Sequence, residues 1–215
     1  SDLLSVNKRL HIITIEDPIE FIHSHGKSIV NQREIGSDAF NYAEAVKAAL
    51  REDPDVVMIG EMRDVETIET ALTLAETGHL VLSTLHTNSA PQTINRIVQV
   101  FPKEQQDQVR MQLSLLLEGI ISQSLIERQD KSGRLLALEL MVATSSIRNL
   151  IRENKIFQLS SAMRMGQDMT GMITMNQSLL EMVSNDWISV DTAMDYSADP
   201  DELIRMIGNL DRKTG

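Results

Sequence analysis

The segment Glu52–Glu61, with the sequence EDPDVVMIGE, decides the fold because it reads as a buried strand that ends in a glycine and a carboxylate. Residues 56–59 form a short apolar run rich in β-branched side chains, as expected for a strand covered on both faces of a parallel sheet. We expect Gly60 to let the chain turn sharply, so that Glu61 projects from the carboxyl edge, where open α/β sheets bind ligands. An ordinary buried strand with a solvated acid at its tip has the same pattern, so the neighbouring segments decide between the two.

Two other segments repeat this design. His11–Glu20 (HIITIEDPIE) places Glu16 after an apolar run, and Gly78–Thr87 (GHLVLSTLHT) places His86 after another. Three parallel strands would bring Glu16, Glu61 and His86 to one edge of one sheet. Carboxylates there can hold Mg²⁺ through water or orient an attacking water, and an imidazole can contact a phosphate oxygen. A single acid or histidine at a strand end is more often a solvated or structural residue. Three such strand ends together favour a functional site.

Several motifs make the chain similar to one superfamily. Residues 13–21 (ITIEDPIEF) resemble the Asp box, 52–64 (EDPDVVMIGEMRD) the atypical Walker B and 77–87 (TGHLVLSTLHT) the His box of the secretion ATPases, which drive type II secretion and type IV pili. Residues 146–153 (SIRNLIRE) resemble the AIRNLIRE motif of the pilus retraction branch, with serine in place of its first alanine. The segment 171–179 (GMITMNQSL) also resembles that branch. The similarity covers essentially the whole chain.

The resemblance implies an α/β fold: a RecA-like P-loop NTPase core over residues 1–143, followed by a small helical domain over residues 144–215. The pattern of the residues agrees, because strand and helix signals alternate to about residue 142 and helical signals follow. Asn41 with Glu44, and Thr174 with Gln177, form expected capping pairs.

Four other elements follow from apolar spacing and turn signals. A helix is predicted after Asp64 with Gly78 at its end, and another is predicted from Ser89 and Pro91. A strand is predicted from Leu135 to Met141. A longer helix is predicted with its buried stripe at Val109, Leu113, Leu116 and Ile120.

One part of such an ATPase is missing from this sequence. A P-loop needs G-x-x-x-x-G-K-[ST], because its glycine amides and lysine cradle the phosphates. The triplet Gly26–Ser28 (GKS) lacks the first glycine and follows a loop. In the family the P-loop strand and helix precede the Asp box, and Ser1–Leu4 reads as the tail of that helix. We therefore expect the carboxyl-terminal part of a longer ATPase, lacking the first strand and the P-loop, with negligible ATPase activity on its own.

The resemblance also implies roles for the strand-end residues, with ATP and Mg²⁺ as cofactors. Glu16 is the candidate general base for the attacking water, Glu61 the candidate for coordinating Mg²⁺ through water, and His86 the candidate contact for the γ-phosphate. Four more residues are candidates for nucleotide binding. They are Asp17 beside the base, His79 at the start of the His box, and Arg51 and Arg63, which flank the Walker B strand and are as compatible with surface ion pairs as with an arginine finger.

The retraction-type motif belongs to a helix with Arg148 and Arg152 one turn apart. Its simplest interpretation is an amphipathic surface helix with Ile147, Leu150 and Ile151 facing inward. The resemblance adds that the motif is needed for pilus retraction rather than for ATP hydrolysis. The residues concerned are Arg148, Asn149, Leu150, Arg152 and Glu153.

Composition limits the class of protein. The 215 residues carry a formal charge of −11 and no cysteine, which argues against a nucleic-acid-binding surface and excludes disulfides and thiolate metal sites. No run of 18 apolar residues predicts a membrane span. The resemblance implies a cytoplasmic protein, peripheral at the inner-membrane pilus base, that forms a homohexamer and contacts the inner-membrane platform protein.

Two other functions remain open from the sequence. A pilus-extension or type II secretion ATPase carries the same three boxes, although residues 146–153 and the absence of a tetracysteine element count against it. A non-catalytic module that only joins a ring is the alternative from another class. The sequence upstream in the gene would separate these hypotheses, because an intact P-loop lysine implies a motor.

Overall fold

The computed structural model describes residues 6–214, with side chains to residue 209. The predicted helix tail at Ser1–Leu4 lies outside the described residues. The chain forms two compact units. The first contains the described residues up to His86 together with Val100–Lys103, and the second contains Thr87–Gln99 and the described residues from Glu104. This division differs from the predicted boundary at residue 143.

A four-stranded parallel sheet forms the centre of the first unit, in the order β2-β1-β3-β4. The predicted parallel alignment of the three motif strands is confirmed, because β1 pairs with β3 and β3 with β4. The outer strand β2 was not predicted, because only Val30 on it is a buried apolar residue. The strands are β1 His11–Glu16, β2 Ile29–Glu34, β3 Val56–Ile59 and β4 Leu80–Ser83.

Two helices, α1 Tyr42–Ala49 and α2 Val65–Glu76, pack on the sheet. Their buried side chains meet alternate strand residues in one apolar cluster. The predicted start of α1 is confirmed, since the Asn41 side chain accepts a hydrogen bond from the Glu44 amide. The end of α2 is also as predicted: Gly78, with φ 95°, follows its last turn. The cluster includes Ile13, Ile15, Val57 and Ile59 from the strands and Val46, Ala49, Ala71 and Leu74 from the helices.

The sheet is less well covered at β4. Leu80 and Leu82 are 41% and 39% exposed. Among the described residues, β4 has a strand neighbour on one side only, β3. A free edge of this kind presents unpaired backbone groups that can accept another strand.

The second unit combines a hairpin with helices. Its nine-residue strands β5 Gly119–Glu127 and β6 Arg134–Val142 pair antiparallel over their full length. The strand predicted near 135–141 is therefore confirmed, and so is the Thr174–Gln177 capping box. The helices are α3 Ala90–Gln99, α4 Lys103–Leu116, α5 Ser145–Arg152, α6 Leu159–Thr170, α7 Met175–Ser184, α8 Val190–Tyr196 and α9 Pro200–Thr214, with a 3₁₀ turn at Ile156–Gln158. The first residue of α4, Lys103, is assigned to the first unit.

One predicted helix was too long. The expected stripe ran on to Ile120, but α4 ends at Leu116 and Ile120 pairs with Met141 in the hairpin. The prediction was wrong because an apolar residue four positions after Leu116 fits a helix and also fits the inward face of a strand. Gly119 marks the change, since a Cβ there would lie 2.9 Å from the Met141 carbonyl oxygen.

The hairpin and α7 to α9 enclose the core of this unit. Ile126 and Ala137 on the strands pack with Leu179, Ile188 and Leu203. No helix within residues 6–214 is both long enough and apolar enough to span a bilayer.

Candidate functional site

The carboxyl ends of β1 and β3 approach each other closely at Gly60. Its amide donates a hydrogen bond of 2.7 Å to the Ile15 carbonyl oxygen. A Cβ on Gly60 would lie 3.0 Å from the Tyr42 hydroxyl oxygen and 3.1 Å from that carbonyl. The chain bends at Gly60, as predicted, without a left-handed backbone. The role of the glycine is to leave room between the strands.

Glu16 is held at the end of β1 by two donors. Its carboxylate is almost fully buried, with 9% of the residue exposed. The Thr14 hydroxyl donates to Oε1 at 2.6 Å, and the Gln32 amide nitrogen donates to the same oxygen at 3.1 Å. Thr14 is on the same face of β1 because side chains alternate, and Gln32 is opposite Thr14 in β2. These bonds fix the orientation of the candidate base.

Gln32 is a site residue that the sequence did not reveal. Its amide also donates to the Phe21 carbonyl oxygen at 2.9 Å, and its side-chain oxygen accepts from the His23 amide at 2.7 Å. The residue thus ties the loop after β1 to the candidate base. Its contacts depend on the unpredicted strand β2.

Glu61, after β3, lies beside two candidate residues. Its Oε2 is 2.7 Å from an Arg63 guanidinium nitrogen and 3.6 Å from His86 Nε2. The Glu61 side chain is 19% exposed, whereas those of Arg63 and His86 are 73% and 76% exposed. A carboxylate that is partly shielded from water interacts more strongly with a charged neighbour such as Arg63.

His86 has a left-handed backbone, with φ 51°. This conformation is uncommon for residues other than glycine and often occurs where function constrains the chain. Two bonds hold the segment before it: the Thr84 hydroxyl donates to the Gly60 carbonyl at 2.5 Å and the Met62 amide to the Thr84 carbonyl at 3.3 Å. The loops after β3 and β4 are thereby joined.

Tyr42, the first residue of α1, also reaches this edge. Burial raises the pKa of its hydroxyl, and the charges of Glu61, Asp17 and Glu16 raise it as well, against the opposing charge of Arg63. The phenol therefore lies within the field of the candidate acids. This position of Tyr42 could not be predicted from the sequence, because an aromatic residue at the start of an amphipathic helix is normally a packing residue.

Two of the predicted binding residues lie at the opposite edge. His79 precedes β4, where its amide donates to the Leu74 carbonyl at 3.2 Å and its Nδ1 lies 3.0 Å from the same oxygen. It therefore closes the end of α2. Arg51 follows α1 and precedes β3. The structure thus brings Glu16, Asp17, Glu61, Arg63 and His86 to one edge and leaves these two at the other.

The site has a limited set of metal ligands. Between residues 6 and 209 there is no group of three or more His, Cys, Asp or Glu side chains arranged to hold a metal ion. Mg²⁺ does not require one, since it usually binds one or two carboxylates together with waters and substrate phosphates. Glu61, a partly exposed carboxylate beside a basic side chain, fits that chemistry.

In the second unit, the candidate motif forms α5. Ile147 and Ile151 are fully buried, as predicted, and Leu150 is half-buried. Thr144 caps the helix by accepting a hydrogen bond from the Ile147 amide.

The two arginines of the motif have different surroundings. The Arg148 guanidinium donates to the carbonyls of Ser114 at 3.2 Å and Leu115 at 2.6 Å, and to Glu118 at 3.0 Å. It thus satisfies carbonyl groups at the end of α4, which lack partners within that helix. Arg152 is exposed and donates to the Asn149 side chain.

Exposed side chains continue around this end of α5. Glu153 is exposed, and Lys155 lies 2.7 Å from its carboxylate. The hydrogen bond from Lys155, together with its charge, holds the pKa of the Glu153 carboxyl below its ordinary value. The polar part of the motif is therefore available to solvent.

An α/β unit with acids at the carboxyl edge of its parallel sheet is typical of ligand-binding open-sheet proteins. The chain belongs to the family of Type II/IV secretion system proteins, whose profile matches residues 2–192. The family and its α/β architecture agree with the resemblance found in the sequence.

Two relatives and one solved structure are highly similar. The type IV pilus retractation ATPase PilT of Pseudomonas aeruginosa is 50% identical over 202 residues, which are 94% of this chain and 58% of that protein. A twitching motility protein of Neisseria gonorrhoeae is 51% identical over 183 residues, 85% of this chain and 49% of that protein. The crystal structure of the pilus retraction motor PilT with bound ADP superposes with a TM-score of 0.88 at 55% identity, over 95% of this chain and 57% of that one. The chain therefore spans about half the length of the relatives it matches.

Proposed function

We propose that this chain belongs to an ATPase that powers type IV pilus retraction. The observation that carries the proposal is the meeting of Glu61 with His86 and Arg63 beside the buried Glu16, at the carboxyl edge of a parallel sheet. The similarity to retraction ATPases over more than nine-tenths of the chain supports the assignment. In the finer architecture, the first unit is part of a RecA-like core.

Each acid has a distinct chemical role in this proposal. Glu16 accepts the proton of the water that attacks the γ-phosphate, since Thr14 and Gln32 hold its carboxylate in one orientation. Glu61 holds Mg²⁺ through water, and the ion, when bound, neutralises charge on the phosphates. Asp17 adds negative charge at the same edge.

The basic residues act on the phosphates. His86 contacts the γ-phosphate, and its exposed ring is accessible to a ligand. Arg63 is the better candidate for a stabilising arginine, because it lies at the acidic edge and Arg51 does not. His79 and Arg51 stay candidates for contacts with a neighbouring subunit.

The assembly is carried over from the family. We propose a homohexamer located in the cytoplasm at the inner-membrane pilus base, where it contacts the platform protein. The exposed part of the retraction motif, with Asn149, Arg152 and Glu153, is the proposed transmission surface. Arg148 and Leu150, which are partly buried, hold in place the helix that carries this surface.

Complementation tests the direction of the motor. The full-length coding sequence that contains this chain is introduced into its host after deletion of the natural copy, and twitching motility and surface pili are scored. We expect wild type to restore twitching, and R152A and N149A to keep ATP turnover but lose twitching. R134A, at an exposed site on β6, is the matched control. A deletion strain that loses its surface pili as well as twitching would identify an extension motor.

A further inference from the structure

Residues 17–28, the β1–β2 loop, lie along the outer strand β2. Three alternate residues of β2 bond to the loop in order, so the loop runs back along the strand from its end toward its start. The anchors are Glu34, whose carboxylate accepts a hydrogen bond from the Ile19 amide at 3.0 Å; Gln32, whose side-chain oxygen accepts from the His23 amide at 2.7 Å; and Val30, whose amide donates to His25 Nδ1 at 3.1 Å.

The middle anchor, Gln32, also holds the candidate base. Its side-chain nitrogen carries two hydrogens, and it donates to Glu16 Oε1 at 3.1 Å and to the Phe21 carbonyl oxygen at 2.9 Å. Its side-chain oxygen accepts from the His23 amide. Because a backbone amide can only donate and a carbonyl can only accept, one orientation of the Gln32 side-chain amide satisfies all three partners. The loop therefore fixes the direction in which the hydrogens of Gln32 point.

The donor to Glu16 depends on the loop for two of its three hydrogen bonds. A glutamine side chain that is free to turn has several rotamers, and holding it in one of them costs conformational entropy. The bonds to Phe21 and His23 offset this cost while the loop lies on β2. If the loop leaves the strand, Gln32 loses both partners. Of the two donors to the Glu16 carboxylate, only Thr14 is then held independently of the loop, because it belongs to β1 itself.

We propose that Gln32 is a positioning residue that makes the orientation of Glu16 depend on the β1–β2 loop. This inference rests on the proposed function, in which Glu16 is the general base. A base works only within hydrogen-bond reach of the water that it activates, and a small misplacement of a reacting group lowers the rate steeply. With the loop on β2 the base is correctly oriented. With the loop displaced, hydrolysis slows while nucleotide binding is unchanged.

ATP turnover and hydrogen exchange of the full-length protein containing this chain test the inference. Gln32→Met keeps the length of the side chain but removes all three hydrogen bonds. It should lower kcat by about 10- to 100-fold, leave the KM for ATP and the affinity for ADP unchanged, and speed amide exchange in the peptide that covers the loop. Asn31→Ala should match wild type. It is the matched control because Asn31 is exposed on the opposite face of the same strand.

His25→Ala disturbs the loop without changing Gln32 or Glu16. It removes the acceptor for the Val30 amide at the far end of the loop. Amide exchange in the loop peptide should therefore become faster, and kcat should fall by about 2- to 10-fold with the KM for ATP unchanged. Faster exchange with a wild-type kcat would overturn the dependence of the base on the loop.

Comparison with Glu16→Gln separates failure of the inference from failure of the proposed function. If E16Q loses turnover but Q32M turns over ATP like wild type, the inference is overturned and the proposed function stands. The same conclusion holds if Q32M loses its affinity for ADP together with its turnover, because the role of Gln32 is then structural. If E16Q turns over ATP like wild type, the role of Glu16 in the proposed function is overturned together with the inference.

Discussion

Replacing Glu139 by alanine should destabilise the second unit strongly. Glu139 lies on β6 and is 5% exposed. Its Oε1 accepts a hydrogen bond of 2.6 Å from the Ala90 amide, and its Oε2 accepts one of 3.1 Å from the Met175 amide. These amides are the first ones of α3 and α7. One buried carboxylate thus stabilises the starts of two helices.

The size of the effect follows from these two bonds. Replacing the acceptor at a helix start by alanine costs about 0.5–2 kcal/mol, and Glu139→Ala removes the acceptor for two helices at once. We therefore expect a loss of about 1–4 kcal/mol in the free energy of unfolding. Glu139→Gln keeps one acceptor oxygen but turns an amide group toward the other amide, so its cost should be about half as large.

Tryptophan fluorescence provides the assay. Trp187, the single tryptophan, packs against the core of the same unit. Urea denaturation followed by its emission therefore reports the unfolding of this unit rather than of the first. Glu127→Ala, at an exposed position on β5, is the control and should stay within about 0.5 kcal/mol of wild type. If Glu139→Ala unfolds as Glu127→Ala does, the reasoning about the two helix starts is refuted.

The same assay and a pH titration test two further contacts. Arg148→Ala should cost about 1–3 kcal/mol because it leaves carbonyls of α4 without a donor, whereas the exposed Arg152→Ala should cost less than about 0.5 kcal/mol; equal losses would contradict the assigned contacts. Hydrogen bonds from the Ser132 hydroxyl and amide lower the pKa of Asp130 to about 2 from 3.8. The stabilisation from ionised Asp130 is therefore present above its ordinary pKa and is lost as pH falls through about 2. Carboxyl NMR should show this midpoint and a rise toward 3.8 in Ser132→Ala, which keeps the amide donor; an unchanged midpoint in the variant would exclude the serine hydroxyl as a cause.

The buried parallel strands could be predicted from the sequence because their own residues define them. The apolar run of β3 is unbroken and that of β1 is interrupted only by Thr14, and in all three strands the candidate residues Glu16, Glu61 and His86 lie at or after the carboxyl end. The strand β2 has the polar composition of an edge strand, so its place depends on pairing with β1. The strand β5 follows a helical stripe without a break in apolar spacing, and only its pairing with β6 identifies it.

The candidate site could be predicted only where its residues follow the motif strands. Glu61, His86 and Arg63 follow motif strands, so parallel pairing is sufficient to bring them together. Gln32 and Tyr42 reach the edge from an unpredicted strand and from a helix start. Their contacts depend on three-dimensional packing, which spacing along one segment does not contain.

The central claim is that Glu16 and Glu61 support ATP hydrolysis, and steady-state ATP turnover by the full-length protein tests it most directly. Glu16→Gln and Glu61→Gln should each lower kcat by at least about 100-fold, the usual scale for a positioned acid or base. Glu66→Gln, an exposed acid on α2 with a 62% exposed side chain, should turn over ATP like wild type. Turnover that is indifferent to both site variants would contradict the account and favour a non-catalytic ring module.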